Sequence, residues 1–138
     1  MDRNLELYEK KILKDKEFPI QLMVNKCNRE GKYFSAHWHE QIELHYVVRG
    51  RTVIRLEQEE MDAGEGTLVI ANSNVLHEGY CRNGEMEVMV AIFDMEDFSR
   101  EFADKNIIFC PTISGDSEIS RTMLRIHEEY QRKEIGYQ

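Results

Sequence analysis

The chain opens with Leu5, Leu7, Tyr8, Ile12 and Leu13 recurring near helical spacing among five acids and five bases over residues 1–17. That spacing predicts a short amphipathic helix or arm. Phe18-Pro19 ends it, because a residue before proline is pushed out of the helical region. From residue 18 to 94 the rhythm changes. Apolar runs become short, rich in Val and Ile, and separated by turn residues. They predict strands over 20–26, 33–37, 42–48, 52–57, 67–71, 76–81 and 85–93. The breaks fall at Asn28-Arg29-Glu30-Gly31, Arg49-Gly50-Arg51, Ala63-Gly64-Glu65-Gly66, Asn72-Ser73-Asn74 and Arg82-Asn83-Gly84. Asn83-Gly84 is the sharpest hairpin signal, since this dipeptide accepts the positive φ of a tight turn. Many short strands at regular spacing predict an antiparallel sandwich or barrel.

After Phe93 a third pattern begins. Asp94 can cap a helix running to about residue 104, with Phe98 and Phe102 on one face. Residues 106–112 read as extended. Ser114 to Ser117 offers turn and N-cap chemistry, and Ile119, Met123, Ile126 and Tyr130 then form an apolar stripe on a helix of about four turns. We expect an arm (1–17), a barrel (18–94) and a helical extension (95–138). The stripe predicts packing, either on the chain's own barrel or against a second copy, and we expect a dimer through it.

Composition narrows the function. A chain of 138 residues makes one domain with a core of its own. Its formal net charge is −8, with nine acids against six bases in the last 44 residues. Nucleic-acid binding rests on Lys and Arg neutralising phosphates, so this stretch is not expected to hold DNA unaided, nor to dock on an anionic membrane. No apolar run reaches the roughly 20 residues that cross a bilayer. The charged N-terminus predicts no export signal and so a cytoplasmic protein. Cys27, Cys81 and Cys110 are odd in number and lack a CxxC pair, which predicts free thiols.

The chemistry concentrates in His and Glu. His37 and His39 lie at i, i+2, on one face of a strand with Cα atoms about 6–7 Å apart. Glu43 lies about 13 Å further along an extended chain, so the chain must bend near Glu40-Gln41 to bring it back. His77 opens a later strand. Three imidazoles and a carboxylate suit a first-row transition metal. A lone His is more simply a hydrogen-bonded strand residue; four residues at ligand spacing point to a divalent cation such as Zn, Ni, Fe or Mn. His45 shares strand parity with Glu43 and can line the same pocket. Trp38 has the opposite parity and is expected to face outward. His127, beside the stripe, is expected at solvent or an interface, and Glu57, Glu59 and Glu60 in a solvated turn. No nucleophile elbow or phosphate loop is present.

Gly31, His37, His39, Glu43 and Gly50 resemble, position for position, the first cupin motif, G-x5-H-x-H-x3-E-x6-G. Residues 66–81 resemble the second, G-x5-P-x-G-x2-H-x3-N, through Gly66 and His77, with Asn72, Asn74 and Cys81 in place of its Pro, Gly and Asn. The resemblance implies a double-sheet jelly-roll barrel and assigns His37, His39, Glu43 and His77 to a metal shell. The run 37–50, the 66–77 block and the helices after Phe93 are similar to the N-terminal effector domain of AraC-type regulators. That implies a small-molecule effector, for example a sugar, bound inside the barrel by His37, His39, Glu43, His45 and His77. It also implies a homodimer formed through Ile119, Met123, Ile126 and Tyr130, and DNA contact only through a separate domain outside this chain. On this reading the chain is not an enzyme. The alternatives are a metal-dependent cupin enzyme, an isomerase or dioxygenase, for which the complete first motif speaks, and a sugar-binding cupin with neither role.

Overall fold

The computed structural model describes residues 7–9, 20–82, 84–94 and 111–136, with side chains to Lys133. The helices expected before Phe18 and over 94–104 lie outside these residues, except for 7–9, which form a short arm. Among the described residues, nine strands and one helix follow in chain order: β1 (Ile20–Cys27), β2 (Gly31–His37), β3 (Ile42–Arg49), β4 (Arg51–Leu56), β5 (Glu59–Gly64), β6 (Leu68–Ala71), β7 (His77–Cys81), β8 (Met86–Phe93), β9 (Thr112–Ile113) and α1 (Ser117–Gly136). Seven of the strands are those predicted, with ends shifted by a residue or two. β5 was not expected, because Glu59-Glu60-Met61-Asp62-Ala63-Gly64 turns only Met61 and Ala63 inward and reads as loop.

The strands form two antiparallel sheets, ordered β1-β8-β3-β6-β9 and β2-β7-β4-β5. Together they make the double-sheet jelly roll. Alternate residues of the first sheet meet the second in an inner core of Val47, Val69, Val88, Val90 and Ile92 with Ile54 and Leu56. β3 and β8 bury their other faces too, so they read as near-continuous apolar runs. Ile42, Tyr46, Leu68, Ile70 and Met89 form an outer core beneath α1.

Asp116 caps α1: its Oδ1 accepts the backbone N–H of Glu118 and of Ile119, each at 3.0 Å. Of the two coverings open to the stripe, the structure shows the chain's own sheet, not the second copy expected. Met123 is buried in the outer core, Ile119 and Ile126 pack against it, and Tyr130 lines a groove beside β1 that includes Leu22. The physical reason is that the outer face of β3 and β8 must be covered, and a tethered helix is always at high effective concentration.

His127 is also corrected. It is buried, and its Nε2 donates to Glu87 Oε2 at 2.5 Å, while Arg49 Nη2 donates to Glu87 Oε1 at 2.5 Å. This cluster joins α1 to β8 and β3. Gly50, between β3 and β4, has φ 79°, and a Cβ there would stand 2.0 Å from the Glu85 carbonyl oxygen, so only glycine fits.

Candidate metal centre

β2 and β3 belong to different sheets, and the bend at Glu40-Gln41 carries the chain between them. It therefore returns Glu43 to face the end of β2, as the spacing required. His37 pairs directly with His77 across β2 and β7. His39 lies just past β2, with its carbonyl accepting the Asn74 N–H at 2.9 Å. The ligand atoms of His37, His39, Glu43 and His77 all lie within 4.8 Å of one another. Donors held about 2.1 Å from one ion are roughly 3–4 Å apart, so a small contraction would complete a shell.

The hydrogen bonds set the tautomers. His37 Nδ1 bonds the Ser35 carbonyl at 2.7 Å, His39 Nδ1 that of Gln41 at 3.0 Å, and His77 Nδ1 that of Val75 at 2.8 Å. A carbonyl only accepts, so each Nδ1 donates and each Nε2 is the nitrogen turned toward the cluster, where that of His39 also hydrogen-bonds Glu43 Oε1 at 3.2 Å. Those nitrogens crowd a carboxylate. His39 Nε2 is 3.2 Å from Glu43 Oε1, and His77 Nε2 is 3.0 Å from Glu43 Oε2. The buried His77 Nε2 makes no hydrogen bond. An unpartnered His77 Nε2 against a carboxylate in a buried site is unfavourable unless a proton or cation sits between them. The residues therefore fit a divalent transition metal.

Burial works to raise the Glu43 pKa, but the imidazoles of His45, His39 and His77 outweigh it and hold the carboxyl well below its usual range. Burial lowers the His37 pKa against the pull of the Ser35 carbonyl, with His77 adding to the fall.

His45 does point inward, as parity required. Its Nε2 is 2.7 Å from Glu43 Oε2, at an angle that makes no hydrogen bond. It stands outside the four-donor group and stacks on Phe34, with ring centroids 5.4 Å apart. Phe34 also meets His37 and His77 edge-on. It reaches the interior because β2 slips register between Lys32 and Phe34 and again before His37. Such bulges put Tyr33 and Phe34 on the same side. Gly79, opposite Phe34, leaves room for both rings: a Cβ there would stand 2.1 Å from Phe34 Cε1 and 2.6 Å from Tyr33 Cζ. The cavity beside the cluster, lined by Ala36, Leu76 and His77 among others, is about 140 Å3.

Strand parity did not place the arm here. Tyr8 bridges Trp38 in parallel and packs on its ring, so Trp38 is half-buried rather than turned to solvent. Glu9 Oε2 lies 3.5 Å from His37 Nε2, adding a second carboxylate at the rim. No local motif marks Glu9, because the contact spans 28 residues of sequence.

Residues 28–138 match the model of the AraC-like ligand binding domain. No curated protein sequence matches the chain significantly. Among solved structures, KdgF from Halomonas sp. is similar at TM-score 0.51 and 22% identity, over 55% of this chain and 70% of that one. A cupin superfamily protein from Desulfitobacterium hafniense is similar at 0.50 and 12%, over 55% and 68%. Oxalate decarboxylase of Bacillus subtilis, a protein with Mn(II) centres, is similar at 0.50 and 21%, over 55% of this chain but only 21% of its own. At these identities the likeness shows the cupin fold. No helix among the described residues is long and apolar enough to cross a membrane.

Proposed function

Since the chain belongs to the AraC-like ligand binding domain family, we propose that it is the effector-sensing domain of a bacterial transcription regulator. The observation that carries the reading is the convergence of His37, His39 and His77 on Glu43, with all four ligand atoms within 4.8 Å of one another. A divalent metal held there supplies a Lewis-acid anchor for oxygen ligands. The chain's own residues orient it through the three Nδ1 bonds and shield it with Phe34 and the Glu9 arm. Ligand pockets usually measure about 300–1,000 Å3, so a sugar-sized effector has to displace Phe34 from beside His45. The domain acts as a cytoplasmic homodimer. With the stripe folded inward, the contact falls to the outward side of α1, where Leu124 is 45% exposed. DNA is bound by a separate domain, because this chain is acidic and no basic recognition helix stands among the described residues.

The second reading, a metal-dependent cupin enzyme, is favoured by the complete four-donor set. One experiment separates them. Protein purified without chelator or nickel resin is assayed for metal, then screened by thermal shift against sugars, sugar acids and small dicarboxylates, with product analysis of every hit. A ligand that stabilises the protein and is recovered unchanged supports the sensor. Turnover of that ligand overturns it in favour of the enzyme.

A further inference from the structure

We propose that Cys27 and Cys81 form a dithiol that a peroxide closes into an intramolecular disulfide, stitching the two sheets together at the barrel end away from the histidines. Cys27 ends β1 in the five-stranded sheet, and Cys81 ends β7 in the four-stranded sheet. In register, Cys27 faces Met86 on β8 and Cys81 faces Gly31 on β2. Since β1 pairs with β8 and β2 with β7, the chain leaves β1 and β7 for the opposite sheet at the same end of the barrel, and a cysteine is the last residue of each of these two strands. His77 opens the strand that Cys81 closes, which puts the thiols at the opposite end from the candidate metal centre.

The two side chains meet in the inner core. Cys81 is fully buried, and the half-buried Cys27 packs against the cluster that holds it, as does Tyr33. Burial, and then hydrogen-bonding contact with the Cys27 thiol, push the Cys81 thiol up to about 11. The Cys27 S–H donates to the Arg29 carbonyl at 3.0 Å, and Cys81 Sγ lies 3.8 Å from the Gly84 carbonyl, so neither is tied up by another side chain there. Cys27 also lines an open cleft of about 410 Å3 that carries Lys26 and Arg49. The cleft admits a small oxidant to the Cys27 sulfur.

The roles follow from access. The Cys27 thiolate attacks hydrogen peroxide, the O–O bond breaks, and Cys27 becomes a sulfenic acid as hydroxide leaves and takes a proton as water. The Cys81 sulfur then attacks the Cys27 sulfur. The S–O bond breaks, and hydroxide leaves with the Cys81 proton as a second water. Two thiols are oxidised by two electrons and one peroxide is reduced. The high Cys81 pKa makes the second step the slow one.

The test uses the full chain carrying Cys110→Ser, because Cys110 lies outside the described residues, together with peptide mapping of the unaltered chain should that variant fold poorly. After hydrogen peroxide, both thiols should vanish together. A Cys27–Cys81 cross-linked peptide should appear, and Tm should rise by about 5–10 °C, reversibly with reductant, as expected for closing a long loop. Cys81→Ser should stop Cys27 at a sulfenic acid that dimedone traps. Oxidation of Cys27 with Cys81 still reduced, cross-links between chains, or no reaction under conditions that exhaust a free thiol would each overturn the proposal.

Discussion

Replacing Glu87 by Gln should loosen α1 from the barrel. The substitution keeps the shape and removes the charge that accepts from both Arg49 and His127. Hydrogen bonds to a charged group contribute about 1.5–3 kcal/mol each when buried. The Arg49 side chain is 60% exposed, so water takes over its bond and its share is discounted. The buried His127 has no such relief. The expected loss is about 2–3 kcal/mol, which with a urea m-value of about 1–3 kcal/mol/M moves the midpoint by roughly 1 M or more. The pH dependence has a definite sign. Burial would raise the Glu87 carboxyl, but the bonds from Arg49 and then His127 hold it below its usual range. Its contribution is therefore complete above the unfolded value of about 4.3 and is lost as pH falls through the lower folded value. The gap between wild type and Glu87→Gln should be full at neutral pH and should close in acid. A double-mutant cycle with His127→Ala should show coupling of at least about 1 kcal/mol. A loss under about 0.5 kcal/mol, or strict additivity of the two changes, would refute the claim that this cluster holds the helix down.

Three further outcomes are expected. His39→Ala should lower metal occupancy by tenfold or more with the fold intact, and wild-type affinity should fall below about pH 6 as protons compete for imidazole; elemental analysis across a pH series reads both. Gly79→Ala should cost about 2–3 kcal/mol in chemical unfolding, because its Cβ would overlap the Phe34 and Tyr33 rings, and a neutral result would mean that those rings can retreat. Met123→Glu should unfold the chain in a single step, a buried unpaired charge costing several kcal/mol, and light scattering showing a folded monomer released from a dimer would contradict the packing of α1 on its own sheet.

Local sequence decided the strands of the barrel and the donors of the cluster. The period of apolar residues places most strands within a residue or two, because side-chain direction along a strand is set by the backbone itself. Steric and reach arguments placed the bend at Glu40-Gln41 and the inward turn of Glu43 and His45. The fixed spacing from Gly31 to Gly50 picked out three of the five motif positions as metal donors, His37, His39 and Glu43, and Gly50 proved to be one where any side chain would strike the Glu85 carbonyl. Contacts between distant segments were left to the tertiary structure. Two register slips in β2 turned Phe34 into the interior, where a straight strand would have sent it outward from Tyr33. The apolar stripe of α1 showed only that it must be covered, and the sheet beneath decided by what. His127 looked like a surface residue until Glu87, 40 residues away in sequence, supplied its partner. A period measures which face a residue shares with its neighbours; it carries no record of what the fold brings to that face.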